Sequence, residues 1–228
     1  MNEPYTIYFA GQLFDHKHLA GNALLASYID NSSQGRYHCV LPQDLEQRGI
    51  GPMGIRDQDL RAVMECDLAL FNFDGAEIPV GAVAEYMYAK MLDIPTVILR
   101  TDFRGGGDQD AEGDPWNLMV SFYPRTRILH LDGMQWYQEA LAEGGDAAEV
   151  TSRYQRRIAA EVVELLDEVR SDSPIMEGGR ASAESTYRWA LRLAAGGLAH
   201  LVSGEGSLDD AVRRIVSLKF EKGLLGEC

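Results

Sequence analysis

Three acidic residues stand where a carboxyl group can take part in chemistry: Asp59 in IRDQDLRAVMECD, Asp74 after the run LALFNF, and Glu85 in VGAVAEYMYA. Glu85 is the most unusual of them, because a charge among apolar neighbours costs free energy unless it is paired or functional. Helical spacing places the small residues Gly81 and Ala82 one turn before Glu85, which leaves room for a ligand beside its carboxylate. The alternative is a partly exposed glutamate whose carboxylate reaches solvent.

These acids need a scaffold, and the hydrophobic pattern predicts one in which strands alternate with helices. Apolar runs predict strands at 5–10, 37–41, 67–73, 95–100 and 127–131. Helical periodicity lies between them, at 17–30, 56–66 and 82–92. We therefore expect a doubly wound, mostly parallel, five-stranded α/β sheet of the Rossmann or flavodoxin type. Such sheets bind ligands at the carboxyl ends of their strands.

The pattern changes after about residue 140. Helical periodicity without further strands predicts helices at 148–170, 181–202 and 207–222. We expect residues 1–140 to form the α/β domain and residues 141–228 to form a helical extension of unknown role. The Gly- and Asp-rich segment 104–114 is either a solvated insertion or a lid over the site.

Composition narrows the classes of function. The chain has 228 residues, no apolar run long enough for a transmembrane helix, and no secretory pattern at its N-terminus. Its net charge of −14 disfavours polymeric nucleic acid as a partner. The cysteines Cys39, Cys66 and Cys228 form no CxxC pair, which suits a reducing compartment. We expect a cytoplasmic protein with a small ligand, and neither a membrane nor a nucleic-acid partner.

Other motifs carry little weight. Gly49–Gly54 matches G-x-G-x-x-G, but it follows the polar run DLEQR instead of a strand. The five histidines show no metal-binding spacing, and no serine lies in a G-x-S-x-G context. We expect neither a bound metal nor a cofactor.

The acids and the first strand belong to a pattern with a fixed order. TIYFAG near the N-terminus is followed by D-L-x-x-x-x-x-x-D, by G-x-x-x-E-Y-x-x-A and by N-L-M. This order and spacing resembles the nucleoside 2-deoxyribosyltransferases over roughly residues 5–137. The resemblance implies transfer of 2-deoxyribose between nucleobases through a covalent glycosyl-glutamate intermediate, with retention of configuration, in nucleoside salvage and without a cofactor.

The same resemblance implies roles for particular residues. Glu85 matches the nucleophile, Asp59 the acid that serves the departing and incoming base, and Tyr8 the tyrosine that orients the nucleophile. Asn117 matches an asparagine that binds the sugar hydroxyls, often from a neighbouring subunit, and Met119 lines the same site. We therefore expect a homo-oligomer with a shared active site, whose ligands are a deoxynucleoside and a free nucleobase.

Such chemistry divides its work between two carboxyl groups. Cleavage of an N-glycosidic bond builds positive charge on the sugar, which an ionised carboxylate stabilises and can bond to. A second carboxyl group, kept protonated by a raised pKa, gives its proton to the leaving base.

The sequence departs from the family pattern close to the nucleophile. Many members carry an aspartate six residues before it, and Pro79 stands at that position here. Asp74 or Glu77 is a candidate substitute, so the preference for purines or pyrimidines stays open. The segment 104–114 and the helical tail have no counterpart in the pattern.

Further candidates for substrate binding lie in the loops. Gln43 and Asp44 follow the second predicted strand, where they either read a base edge or form a turn after Pro42. Gly11 and Phe14 belong to the first loop, where Phe14 offers a stacking surface. Additional stacking surfaces, or else core residues, are Tyr86, Tyr88, Trp116 and Met119.

Two other functions stay open. A hydrolase of the same fold acting on deoxynucleosides or their 5′-monophosphates is one, although the first loop is acidic and apolar whereas phosphate favours glycine, serine and arginine. The other is a non-catalytic sensor of a nucleotide ligand, in which the helical tail binds a partner.

Overall fold

The computed structural model describes residues 3–45, 49, 51–104, 116–193 and 207–226. The strands are β1 (Tyr5–Ala10), β2 (Tyr37–Val40), β3 (Leu68–Asn72), β4 (Thr96–Arg100) and β5 (Thr126–His130). The helices of the described ranges are α1 (His16–Ser32), α2 (Pro52–Glu65), α3 (Val80–Met91), α4 (Gly133–Ala142), α5 (Ala147–Ser171), α6 (Gly179–Leu193) and α7 (Leu208–Glu221). Short 3₁₀ turns lie at Pro42–Asp44 and Leu118–Val120.

The five strands form one sheet in the order β2-β1-β3-β4-β5, and every neighbouring pair is parallel. This arrangement confirms the predicted doubly wound α/β fold. The strand order reverses between β1 and β3, and ligands of such folds bind in the crevice at that point. Gly11 follows β1 there, and an added β-carbon on Gly11 would lie 3.1 Å from Cβ of Asn72 at the end of β3. A residue without a side chain therefore lets the two strand ends approach closely.

Alternate side chains of β1 serve opposite faces of the sheet. Ile7 and Phe9 pack in the core that α1 and α5 cover, whereas Tyr8 and Ala10 pack in the core under α2 and α3. Strands covered on both faces are near-continuous apolar runs, which is why the sequence predicts them well.

The helices beyond residue 141 complete both faces of the sheet. α5 contributes Ile158, Val162 and Leu166 to the same core as α1. α6 and α7 contribute Tyr187 and Val216 to the opposite core, with α2 and α3. The expected boundary between residues 140 and 141 falls inside α4, and the helical extension shares its core with the sheet.

A buried ion pair fastens the helical extension to the amino-terminal end of the sheet. The side chains of Asp93 and Arg125 meet at 2.9 Å, and both are buried. The Oδ2 atom of Asp93 also accepts hydrogen bonds from the backbone amides of Ile175 and Met176, at 2.8 and 3.0 Å. The Nη1 atom of Arg125 donates to the carbonyl of Leu224 at 3.1 Å. Segments far apart in sequence are thus joined at one point.

Helix bounds differ from the expected ones in places. α2 begins at Pro52 instead of residue 56, because proline suits the first helical position, where its missing N–H costs nothing. The helix predicted over 181–202 is described as far as Leu193, because residues 194–206 lie outside the described ranges. Residues 105–114 of the predicted lid or insertion also lie outside them. None of the helices in the described ranges has the length and apolar character needed to cross a membrane.

Candidate active site

The side chains of Tyr8, Asp59 and Glu85 meet on one face of the sheet, close to the carboxyl end of β1. Each comes from a different element: β1, α2 and α3 respectively. Asp59 stands one turn before the buried Ala62, and Glu85 stands one turn before the buried Ala89. The helix faces that pack on the sheet therefore carry both acids towards Tyr8.

Burial raises the pKa of every group in this cluster. The pKa of Glu85 is raised to about 7 by burial and by the neighbouring Asp59 carboxylate, while the Tyr8 hydroxyl lowers it. Burial raises the pKa of Asp59 to about 6. The pKa of the Tyr8 phenol is raised well above its usual value by burial, and further by the carboxylates of Glu85 and Asp59. Both acids thus titrate near neutral pH, where general acid–base groups of enzymes titrate.

The order of these pKa values bears on the expected roles. A nucleophile has to be ionised and a proton donor protonated, yet in the unliganded protein Glu85 has the higher pKa of the two. Two neighbouring carboxyl groups lose their protons in steps that belong to the pair. Ionised Glu85 beside protonated Asp59 is one of the two singly ionised states, so a ligand that binds this state best will select it.

The cluster has few hydrogen bonds of its own. The Oη atom of Tyr8 and the Oδ1 atom of Asp59 are buried and have no hydrogen-bond partner among the described residues. The contact between Tyr8 and Glu85 therefore changes both pKa values without the geometry of a regular hydrogen bond. A buried polar atom without a partner costs about 1–3 kcal/mol, and a polar ligand can recover that cost.

The helix surface one turn before Glu85 is exposed. An added β-carbon on Gly81, one turn earlier on α3, would meet no heavy atom within 4 Å. The neighbouring Val80 is 84% exposed. The first turn of α3 is therefore uncovered by the described residues.

Asp74 lies at the same end of the sheet in a fully bonded setting. Its Oδ1 atom accepts hydrogen bonds from the amides of Thr101 and Asp102 at 2.5 and 2.9 Å. Its Oδ2 atom accepts one from the hydroxyl of Thr101 at 2.7 Å. Asp74 thus ties the end of β3 to the end of β4, and a nucleobase would have to compete for its oxygens.

The other predicted loop residues follow β1 and β2. The side-chain amide of Gln43 donates to the carbonyl of Leu19 at 2.9 Å, while its Oε1 atom is buried without a partner among the described residues. Asp44 is exposed. Phe14, in the first loop with Gly11, is 89% exposed. The Phe14 ring is therefore open to a ligand, whereas the Gln43 oxygen is covered by the protein.

Asn117 and Met119 lie on the other flank of α3. Together with Val83 they line a cavity of about 350 Å³. Val83 and Glu85 are two residues apart, which turns their side chains about 200° away from each other around the helix. The Oδ1 atom of Asn117 accepts the amide of Met119 at 2.9 Å, and Met119 is 69% exposed. Within a single chain, Tyr8, Asp59 and Glu85 therefore lie together. Asn117 and Met119 lie away from this cluster.

Most of the candidate stacking residues belong to the core. Tyr86, Tyr88 and Trp116 are all buried. The ring of Phe73 meets Tyr86 and Trp116 edge to face, with centroids 5.8 and 5.7 Å apart. Their surfaces are already covered by the protein, so these rings are not open to a base.

Arg100 is a residue that the sequence reasoning missed. It ends β4 and is 3% exposed, and it forms no ion pair with any described residue. Its Nη1 atom donates to the carbonyls of Phe73 and Gly75 at 2.5 and 3.3 Å. The signal that points to it is a charge at the end of the apolar run PTVILR, at the carboxyl end of a predicted strand.

Fold and site together are typical of an enzyme that performs acid–base or covalent chemistry on a small ligand. Residues 7–119 match the family model described as nucleoside 2-deoxyribosyltransferase, and the chain belongs to that family. Its activity is accordingly that of a nucleoside-acting glycosyl transferase or hydrolase, with nucleosides and nucleobases as ligands.

Solved structures similar to this chain include a 2-deoxyribosyltransferase from Leishmania mexicana, with 21% identity, 54% of this chain and 90% of that chain covered, and a TM-score of 0.44. A conserved protein from Enterococcus faecalis V583 is 25% identical, and the match covers 66% of this chain and 99% of that chain with a TM-score of 0.47. A 2-deoxyribosyltransferase from Bacillus psychrosaccharolyticus is 14% identical, and the match covers 64% of this chain and 95% of that chain with a TM-score of 0.41. Comparison with curated protein sequences gave no match.

Proposed function

We propose that this protein transfers 2-deoxyribose between nucleobases through a covalent intermediate on Glu85, in cytoplasmic nucleoside salvage. The observation that carries the proposal is the buried cluster of Tyr8, Asp59 and Glu85, in which both acids have pKa values raised towards neutrality. Family membership supplies the class of substrate.

The first half-reaction forms a sugar ester on Glu85. The ionised carboxylate attacks the anomeric carbon of the deoxynucleoside, and the bond from that carbon to the base nitrogen breaks. The bonding electrons leave with the base, which receives the proton of Asp59. The enzyme then holds deoxyribose on Glu85 and an ionised Asp59, so the pair carries one negative charge before and after the step.

The second half-reaction reverses these steps with a different base. A nitrogen of the acceptor attacks the anomeric carbon while its proton passes to Asp59, and Glu85 leaves as a carboxylate. Two displacements at one carbon retain the original configuration. The Tyr8 phenol stays protonated throughout because its pKa is raised, so it can direct its O–H to Glu85 and orient it.

The proposal includes a site shared between copies of the chain. Asn117 and Met119 are exposed on the flank of α3 that faces away from Glu85, so they would complete the site of a second copy. Phe122 and Leu118 beside them are 79% and 47% exposed, and such contact would bury them.

Hydrolysis is the second candidate, favoured by the exposure of the first turn of α3, one turn before Glu85. Water that reaches the sugar ester would release free deoxyribose. Transfer and hydrolysis thus share their first half-reaction and differ in the group that attacks the ester.

A chromatographic assay distinguishes the candidates. Deoxyinosine or thymidine is incubated with the protein, with and without free adenine or cytosine. A new deoxynucleoside that forms only with the acceptor supports transfer, whereas deoxyribose released regardless of acceptor indicates hydrolysis. If no donor and acceptor pair reacts, the proposal is wrong and a ligand sensor becomes the better account.

A further inference from the structure

Arg100 is a buried cation without a counter-charge among the described residues. It is 3% exposed and forms no ion pair with them. A buried charge is costly unless it is paired, and backbone carbonyls neutralise it only in part. The residue therefore stands out from Arg125, whose equally buried side chain pairs with Asp93.

One edge of the Arg100 guanidinium lacks strong hydrogen bonds to the described residues. Its Nη1 atom is engaged by the carbonyls of Phe73 and Gly75. Its Nε atom is buried with no hydrogen-bond partner among the described residues, and its Nη2 atom has a contact of 3.5 Å with the carbonyl of Arg104. Nε and Nη2 form the side of the guanidinium that binds two oxygens of a phosphate or carboxylate at once.

Arg100 lines the cavity of about 350 Å³ that also contains Asn117 and Val83. The loop 76–78 leading into α3 lines it as well. α3 has no side-chain cap and no acidic residue in its first turn. α3 begins between the lining residues Ile78 and Val83, so the partial positive charge of its start lies near the cavity.

The acid that faces this cavity among its described lining residues is Glu77, which is exposed. Its carboxylate opposes an anion, but solvent weakens the repulsion. Arg100 is deeply buried and its charge is screened much less. The balance of charge at the bottom of the cavity therefore favours an anion.

We propose that this cavity binds a phosphate group, either as free phosphate or as the 5′-phosphate of a nucleotide. The Nε and Nη2 atoms of Arg100 donate to two phosphate oxygens. This inference goes beyond the proposed function, because the cavity lies on the flank of α3 that faces away from Glu85 of the same chain and the inference concerns binding without turnover.

The test is ligand-dependent thermal stabilisation, with affinities from calorimetry. Sodium phosphate is compared with sodium chloride at equal ionic strength, and a deoxynucleoside 5′-monophosphate is compared with the matching deoxynucleoside. We expect Arg100→Gln to weaken phosphate or nucleotide binding at least about tenfold. Arg104→Gln removes the same charge at the same end of the sheet, outside this cavity's lining, and should change affinity less than about twofold.

Stabilisation by inorganic phosphate that depends on Arg100 identifies free phosphate as a ligand. Stabilisation by the nucleotide alone, with the same dependence, identifies the phosphate as part of a nucleotide. The proposal is overturned if neither ligand stabilises the wild-type protein above its matched control, or if Arg104→Gln weakens binding as much as Arg100→Gln.

A variant at an exposed position keeps the test decisive if Arg100→Gln fails to fold, which circular dichroism will show. Glu77→Gln removes the opposing charge, and we expect it to tighten phosphate or nucleotide binding about two- to fivefold. Unchanged or weaker binding in Glu77→Gln would contradict an anion in this cavity. Because all arms measure binding without turnover, their failure is distinct from failure of the proposed transfer reaction.

Discussion

Two regions of this molecule bury acidic side chains, and they treat them in opposite ways. At the amino-terminal end of the sheet, Asp93 pairs with Arg125 and accepts two backbone amides besides. Near the carboxyl end, Asp59 and Glu85 face each other with no cation paired to them among the described residues. The Tyr8 hydroxyl beside them has no regular hydrogen bond to any residue that the structure describes.

The difference separates a structural acid from a chemical one. A carboxylate whose oxygens are all engaged fastens segments together and is unavailable to a ligand. A carboxylate buried without partners destabilises the fold, and this cost is recovered when substrate binds. The comparison therefore predicts opposite signs for the effect of removing charge in the two regions.

The largest expected effect is on activity, at the cluster of Tyr8, Asp59 and Glu85. Glu85→Gln keeps the shape of the side chain and removes the nucleophile, so transfer should fall about 10³-fold or more. The assay of base exchange described above measures it. Glu161→Gln, an exposed glutamate on α5, is the matched control and should stay within about twofold of wild type. Turnover within tenfold of wild type in Glu85→Gln would remove Glu85 from the mechanism.

The largest effect on stability is expected at the buried ion pair of Asp93 and Arg125. Asp93→Asn leaves the buried Arg125 without its counter-charge, so the free energy of unfolding should fall by about 3–5 kcal/mol. Urea denaturation measures it. Asp172→Asn breaks the partly exposed pair with Arg127, with atoms 2.9 Å apart, and should cost less than about 1 kcal/mol. Equal losses in the two variants would show that burial does not distinguish these pairs.

A smaller effect on rate is expected at Asp59. Asp59→Asn cannot give a proton to the leaving base, so base exchange should slow about 100-fold. Wild-type activity should be greatest where the pair is singly ionised, between about pH 6 and pH 7. The activity of Asp59→Asn should not decline on the alkaline side of this range, because the variant has no carboxyl proton at this position to lose. A pH profile that declines there as in the wild type would assign the proton to another group.

The smallest effect is a gain in stability when the buried charge of Glu85 is removed. The folded-state pKa of Glu85 is raised from 4.5 to about 7, so the folded protein binds more protons than the unfolded chain between these values. Stability is therefore lost as pH rises through this window. Glu85→Gln should stabilise the protein by about 1–3 kcal/mol at pH 8 and by little at pH 4. Urea unfolding at both pH values measures this, and a gain independent of pH would contradict it.

Much of the fold follows from short stretches of sequence. Runs such as LALFN and TVILR are apolar on both faces, so they predict buried parallel strands without knowledge of their neighbours. Glu85 attracts attention for the same local reason, since its neighbours on α3 are apolar. The sequence predicts the helical extension without assigning it a role, and its apolar residues, such as Ile158 and Val162, pack in a core shared with the sheet.

The remainder depends on contacts between distant segments, which local patterns do not show. Arg125 and Asp93 meet only because the loops before β5 and β4 lie side by side. Which guanidinium nitrogens of Arg100 have hydrogen-bond partners follows only from the positions of the Phe73 and Gly75 carbonyls. The separation of Asn117 from Glu85 across α3 likewise comes from the path of the chain.

The most direct test of the central claim is intact-mass spectrometry of the protein mixed with a deoxynucleoside donor in the absence of acceptor, then quenched in acid. The account predicts a covalent deoxyribosyl group on the peptide that contains Glu85, its loss when an acceptor base is added, and no such group in Glu85→Gln. Base exchange without any adduct, or an adduct on another residue, would contradict a glycosyl intermediate on Glu85.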